Sequence, residues 1–292
     1  MIGAPAAAAK ANSSAVAGGN ALSEKNFRRL CAFVQRVCGI KLTDKKHSMI
    51  DGRLRRRMRV ININDINDYC DYLFSGDAAT NAELPFFIDA VTTNKTDFFR
   101  EPAHFSFLQK QVLPGWQAEG RRSAKIWSAA CSTGAEAYTA AMVVDDFFSD
   151  CGGFCPSVLA TDISTDVLEK GRAGLYPNSM IDPIPEDFRR RYVLVPKDPS
   201  RREFLIAAGL RKRVAFHHLN LMDERYPFET DFDLVFVRNV LIYFDRPTQE
   251  AVLTKLCRHL SHGGYLFLGH SESLIGAKLP LQAVANTIFR RR

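Results

Sequence analysis

Residues 127–138 read Trp-Ser-Ala-Ala-Cys-Ser-Thr-Gly-Ala-Glu-Ala-Tyr (WSAACSTGAEAY). The apolar run from Lys125 to Ala130 predicts a buried strand, and the pattern from Ala135 to Phe148 predicts a helix. Between them lies a turn of small residues, which lets backbone N–H groups approach a ligand at the C-terminal edge of a sheet. Gly134 is the only glycine in the segment. The three-glycine dinucleotide fingerprint is therefore missing, and a nicotinamide oxidoreductase is disfavoured.

Outward from this turn the chain alternates. Further strands are expected over residues 157–161, 214–219, 232–237 and 265–268, with helices over 165–173 and 248–260. Such alternation predicts an α/β sheet with helices on both faces. Residues 177–213 break the rhythm with five prolines (Pro177, Pro183, Pro185, Pro196, Pro199) and short apolar pieces, and predict an inserted antiparallel excursion.

Residues 22–90 read as a separate helical domain. Phe27, Leu30, Cys31, Val34 and Val37 recur at helical spacing, and Gly39 supplies a C-terminal cap. The next helix places Ile50, Leu54, Met58 and Ile61 on one stripe and displays Arg53, Arg55, Arg56, Arg57 and Arg59 elsewhere. Two more helices are expected over 66–74 and 82–90. The first 21 residues, small and of low complexity, predict a disordered tail.

Bulk properties narrow the class. The 292 residues are 46% hydrophobic and 24% charged, ordinary for a globular protein, and allow two domains. No apolar run reaches the ~18–20 residues of a membrane span, so no membrane insertion is expected. Seven cysteines without a Cys-x-x-Cys pair fit a reducing cytoplasm. Cys257, His259 and His262 lack the paired blocks of a zinc module, and no metal is expected. The net charge of +7 implies an acidic partner, and eight of the basic residues fall between Lys41 and Arg59.

Chemistry concentrates in three places. The first is Thr92 to Glu101, TTNKTDFFRE, at the domain junction. It brings an amide (Asn94), a hydroxyl (Thr96) and a cation (Arg100) beside Phe98 and Phe99, which read as the wall of a ligand site. The second is Asp162, at a strand end in LATDIS. It reads equally well as a ribose acceptor and as a helix cap. The third is FDLVFVRNVLIYF, where a buried strand stops at Arg238 and Asn239, with Tyr243 in reach of the same opening.

With ATDIS, LNLMD and GYLFLGHSESL, these segments resemble in order the signature motifs of CheR, a bacterial methyltransferase family that esterifies chemoreceptor glutamates with S-adenosylmethionine. The resemblance spans residues 22–290. It implies a small N-terminal all-helical domain followed by a Rossmann-like class I methyltransferase domain with an inserted antiparallel β-subdomain. It also implies that Asn94, Thr96, Arg100, Glu136, Asp162, Asn220, Leu221, Arg238 and Asn239 surround S-adenosylmethionine, which leaves as S-adenosylhomocysteine. Arg100 and Tyr243 would stand nearest the transferred methyl. Arg53, Arg56, Arg57 and Arg59 would grip the acidic cytoplasmic helices of the receptors. A monomer with no nucleic-acid partner is expected.

Two departures from the family pattern stand out. Gly-Ala-Glu-Ala-Tyr (Gly134 to Tyr138) replaces the family's Gly-Glu-Glu-Pro-Tyr. Glycines are also sparse between Val193 and Leu210, so docking of a receptor C-terminal peptide on the β-subdomain is not expected. Two other readings stay open. A nucleic-acid methyltransferase would share the sheet and the charge, though its Pro-Pro-aromatic turn is replaced by Arg238-Asn239-Val240-Leu241. A cofactor-sensing protein without activity would keep the same motifs.

Overall fold

The computed structural model describes residues 21–292 except 77, 151–152, 199, 230 and 274–278, with only the backbone of 78–80. The expected tail, residues 1–20, lies outside the described residues. Four helices come first: α1 (Glu24–Cys38), α2 (His47–Val60), α3 (Ile66–Leu73) and α4 (Ala78–Val91). Ser23 caps α1 by accepting from the Asn26 N–H, and Asp65 caps α3. Gly39 closes α1 in the left-handed region at φ +72°, and its N–H bonds the Gln35 carbonyl. Ile50, Leu54 and Met58 of α2 are buried in this helical core as the spacing predicts, while Ile61 is the cap residue beyond the helix.

The arginines of α2 are not all displayed. Arg57 clasps the buried Glu83 carboxylate with two bonds of 2.8 and 2.6 Å, and its guanidinium lies over Phe86. Arg53 donates to the carbonyl of Thr92 at 2.7 Å, with longer contacts to those of Ala90 and Val91 at the end of α4. Arg55 pairs with Asp51 on its own helix. Arg56 and Arg59 are the two that stand exposed. Sequence periodicity separates a buried stripe from the rest of a helix, but does not reveal a partner supplied by another helix.

Next comes a continuous helical stretch of α5 (Pro102–Phe107), a wide π turn (Leu108–Val112) and α6 (Leu113–Ala118). Pro114 cannot donate to Lys110 and its ring would meet that carbonyl, so the widened turn relieves a clash. The sheet strands then follow. They are β1 (Ser123–Ala129), β2 (Cys155–Asp162), β3 (Leu175–Pro177), β4 (Val193–Leu194), β5 (Glu203–Ile206), β6 (Val214–His218), β7 (Phe232–Val237), β8 (Leu260–Leu268), β9 (Leu281–Ala285) and β10 (Ile288–Arg291). The helices among them are α7 (Ala135–Phe147), α8 (Thr165–Ala173), α9 (Glu186–Tyr192), α10 (Ala208–Arg211) and α11 (Arg246–Arg258).

The main sheet has the order β6-β2-β1-β7-β8-β10-β9. It is parallel from β6 to β8, and β10 runs antiparallel to both of its neighbours. Strands β3, β5 and β4 form the separate antiparallel sheet of the insert, which begins at Leu175. Alternation along β1 sends Ile126 into the core under α7 and Trp127 into the core under α11.

Register places the ligand edge. Ala129 pairs with Thr161 on one side and with Val237 on the other. Ala130, Asp162 and Arg238, the residues after those pairs, therefore emerge level with one another where the chain order reverses across the sheet. Gly134, at φ +86°, opens α7 against the Phe216 ring, where a Cβ would stand only 2.6 Å from the ring. The helical domain closes over this edge. The Asn220 amide donates to the Val37 carbonyl at 2.7 Å, and the Lys41 N–H to the Tyr243 carbonyl at 2.8 Å.

Candidate active site at the domain junction

A cleft of about 1030 Å³, measured out to its open mouth, lies between the strand ends and the helical domain. Its floor is the β1–α7 turn (Ala130, Cys131, Ser132) with Asp162 and Ile163 at the end of β2. One wall is Leu219 to Leu221 after β6, and another is Arg238 to Val240 with Tyr243 after β7. Cys38, Ile40, Leu42 and Lys46 reach in from the helical domain, and Val91 to Thr96 with Arg100 bridge the two. Every residue that the sequence assigned to the cofactor lines this one cleft, and so do Arg100 and Tyr243. Arg53, Arg56, Arg57 and Arg59 do not.

The junction strip is pinned from below. Phe98 is fully buried and packs edge-on against Tyr176 with centroids 4.9 Å apart. The Phe99 N–H donates to the Thr139 hydroxyl at 3.1 Å. Neither ring lines the cleft, so the expected aromatic wall is an anchor instead. Apolar area next to polar groups reads alike in sequence whether it faces a ligand or the core. The Ser132 hydroxyl donates to the Asn94 carbonyl at 2.7 Å, tying the strip to the floor.

Arg238 organises the charged end. Its side chain is 1% exposed. It donates to Glu101 at 2.9 Å, to Glu136 at 3.0 Å and to the Arg100 carbonyl at 2.5 Å. Glu136 also accepts from the Ser128 hydroxyl at 2.7 Å. Burial raises the Glu136 pKa, against the pull of Arg238. Burial also presses Glu101 upward, but Arg238 and the Asn239 amide outweigh it and hold this carboxyl below its usual range. His104, beside them, falls to about 4 because burial and the Arg238 charge both oppose its protonation.

Asp162 is not the helix cap that one of its two sequence readings expected; it ties the loops of this edge together. Its oxygens accept from the Ser132 N–H at 2.8 Å and the Ser164 N–H at 3.0 Å, locking two ligand-facing loops together. The helix cap itself is Ser164, which accepts from the Val167 N–H. Burial raises the Asp162 pKa while these N–H bonds oppose the rise. The carboxylate lines the cleft and keeps lone pairs for a diol.

Three participants escaped the sequence reading. Lys46 sends its ammonium over the Tyr243 ring, 5.1 Å from its centre. Glu101 bridges Arg238 and Asn239. Glu272, in the GHSESL segment, accepts from the N–H groups of Asn239 (3.0 Å), Val240 (3.0 Å), Leu241 (2.8 Å) and Gly269 (2.6 Å). It shapes the β7 tip, where Asn239 takes φ +59°. Both glutamates fall inside quoted motifs, but neither spacing nor polarity shows what they hold. Cys257 and His259, by contrast, are packed, His259 against the rings of Tyr226 and Phe228.

The donor set suits a nucleoside joined to a charged amino-acid portion. Asp162 fits a ribose diol, and Ile163 and Leu221 offer apolar faces to a base. At the other end two carboxylates face one guanidinium, leaving a negative charge that complements an ammonium or sulfonium.

Comparison with known proteins agrees. Residues 25–92 match the all-alpha domain of CheR methyltransferases, and residues 94–289 match their SAM-binding domain. The chain is similar to the chemotaxis protein methyltransferase of Borreliella burgdorferi, with 37% identity over 262 residues, 88% of this chain and 91% of that protein. For the Klebsiella aerogenes protein of the same description the identity is 39% over 254 residues, 86% and 84% of the two chains. For that of Escherichia coli it is 37% over 255 residues, 87% and 86%.

Substituting Glu272→Gln tests the β7 tip. The amide cannot accept all four N–H bonds, and the loss is expected to destabilise the protein by about 2–3 kcal/mol in urea unfolding. An unchanged midpoint would mean that the tip holds its shape without this carboxylate.

Proposed function

The chain belongs to the CheR methyltransferase family, binding S-adenosylmethionine, and on that premise we propose that it methylates glutamate side chains of bacterial chemoreceptors, giving the methyl esters used in sensory adaptation. The observation that carries this reading is the cleft's position, between a cofactor-type strand edge and a helical domain that presents exposed arginines. Among the described residues no helix is long and apolar enough to cross a membrane. The cytoplasmic helices of receptors would come to the enzyme in the cytoplasm.

The reaction asks little acid–base work of the protein. A glutamate acceptor with a pKa of about 4.3 is already an anion at neutral pH. Bound S-adenosylmethionine supplies a methyl group activated by its sulfonium. What the chain contributes is alignment and exclusion of water. Asp162, Asn220 and Leu221 would hold the nucleoside portion; Glu136 and the Arg238 cluster would hold the amino-acid portion. Arg100, tied at one nitrogen to the Lys95 carbonyl at 3.0 Å, still faces the cleft and would orient the incoming carboxylate. Tyr243, steadied by Lys46, would line the approach.

Receptor recognition would fall to the exposed part of α2. Arg56 and Arg59 face solvent beside Val60, which is 68% exposed. Arg53 and Arg57 belong to the helical core instead, and removing the Arg57 charge would strand Glu83 at a cost of about 3–5 kcal/mol. They support the reading surface without being part of it.

Two experiments follow. With methyl-labelled cofactor and receptor-containing membranes, base-labile label on the receptor is expected. Arg100→Ala should lower kcat at least tenfold, and Asp162→Ala should mainly weaken cofactor binding. Label in RNA, or equal loss of cofactor binding in both variants, would contradict this assignment. Reversing Arg56 and Arg59 to Glu should cut receptor methylation at least tenfold and shift cofactor affinity by less than twofold. Unaltered methylation would remove α2 from recognition.

A further inference from the structure

Next to the Arg238 cluster, three side chains that do not line the cleft converge: Glu101, His104 and His270. One ligand atom from each lies within 4.8 Å of the others. Nδ1 of His104 is 3.4 Å from Oε2 of Glu101, and Nε2 of His270 is 3.9 Å from the same oxygen. Ligands about 2.0–2.2 Å from a tetrahedral zinc stand roughly 3.3–3.5 Å apart. His104 and Glu101 are therefore at coordination spacing already, and His270 stands about half an ångström farther from Glu101.

The partners of His104 suit the tautomer with the ring proton on Nε2. The Thr287 hydroxyl gives its hydrogen to the Asn286 carbonyl at 2.8 Å, so towards Nε2 of His104, 2.9 Å away, it accepts. Nε2 then carries the ring proton and Nδ1 presents a bare lone pair. His104 is 1% exposed, and Nδ1 has no hydrogen-bond partner among the described residues. That lone pair faces a carboxylate oxygen, which is also an acceptor. Two acceptors turned towards one another in buried space call for a cation between them. A ring whose far N–H is anchored to a hydroxyl is also oriented as metal-binding histidines are.

We propose that Glu101, His104 and His270 form a site for a divalent transition-metal ion of the zinc class, and that the ion competes with Arg238 for Glu101. Two imidazole nitrogens and one oxygen favour zinc, cobalt or copper over magnesium or calcium, which take oxygen ligands. His270 is half exposed and gives the ion a way in. The competition follows from Oε2 of Glu101, which already accepts two Arg238 N–H bonds at 2.9 and 3.3 Å. An ion drawing on that oxygen loosens the guanidinium that also holds Glu136, so metal and cofactor weaken each other's binding.

The test is to titrate the full-length protein with Co²⁺ while following its visible absorption, then displace it with Zn²⁺. S-adenosylhomocysteine affinity is measured by calorimetry with and without Zn²⁺. One Co²⁺ per chain is expected, bound at least tenfold more weakly by His270→Ala, whose half-exposed side chain leaves folding intact. Zn²⁺ should weaken S-adenosylhomocysteine binding severalfold in the natural protein and not in His270→Ala. Cobalt uptake undiminished in His270→Ala would assign it to other histidines, such as the exposed His217 and His218, and overturn the site. Absence of uptake would overturn it too. Uptake at this site with unaltered S-adenosylhomocysteine affinity would overturn the competition.

Discussion

A single buried guanidinium holds three parts of this molecule in register. Arg238 sits at the tip of β7, yet its bonds run to Glu136 in the first turn of α7 and to Glu101 and the Arg100 carbonyl in the junction strip. Burying that charge is costly, and it is sustained because nearly every donor finds an acceptor. A planar fork with several fixed donors meets two carboxylates and a carbonyl at once, which a lysine ammonium does not reproduce. The strip that carries Asn94, Thr96 and Arg100 is thereby placed over the strand edge.

The same cluster sets the electrostatics of the cleft. Glu101 and Glu136 together carry more charge than Arg238 balances, and burial raises the Glu136 pKa against the pull of Arg238. A cationic ligand at that end relieves the imbalance, which gives a physical reason for a sulfonium cofactor to settle there. On the opposite side of the tip, Glu272 gathers four backbone N–H groups and holds the turn open. Three carboxylates and one guanidinium thus shape a turn only a few residues long.

Much of this was legible in the chain. Strand and helix alternation predicted the parallel sheet, and the small-residue turn after β1 predicted the ligand edge, because both depend on local pattern. The residues that ordered motifs assigned to the cofactor all line one cleft. What escaped depends on pairing at a distance. Strand β9 is mostly exposed and β10 is short, and neither alternates cleanly, so only the pairing of β10 with β8 and of β9 with β10 defines them. Arg53 and Arg57 read as a displayed charge run because their partners lie on α4, a separate helix, and just after it. Glu272 and Glu101 sit in recognisable motifs, but the groups at the β7 tip that they hold are 31 to 138 positions away.

The most direct test of the Arg238 account is the affinity for S-adenosylhomocysteine of the Arg238→Lys variant, measured by calorimetry on protein shown by circular dichroism to keep its helices. Loss of the bidentate hold on Glu101 and Glu136 predicts binding weaker by about 100-fold, equivalent to roughly 2.7 kcal/mol. Affinity within twofold of the natural protein would show that the strip and the strand edge find their places without this guanidinium.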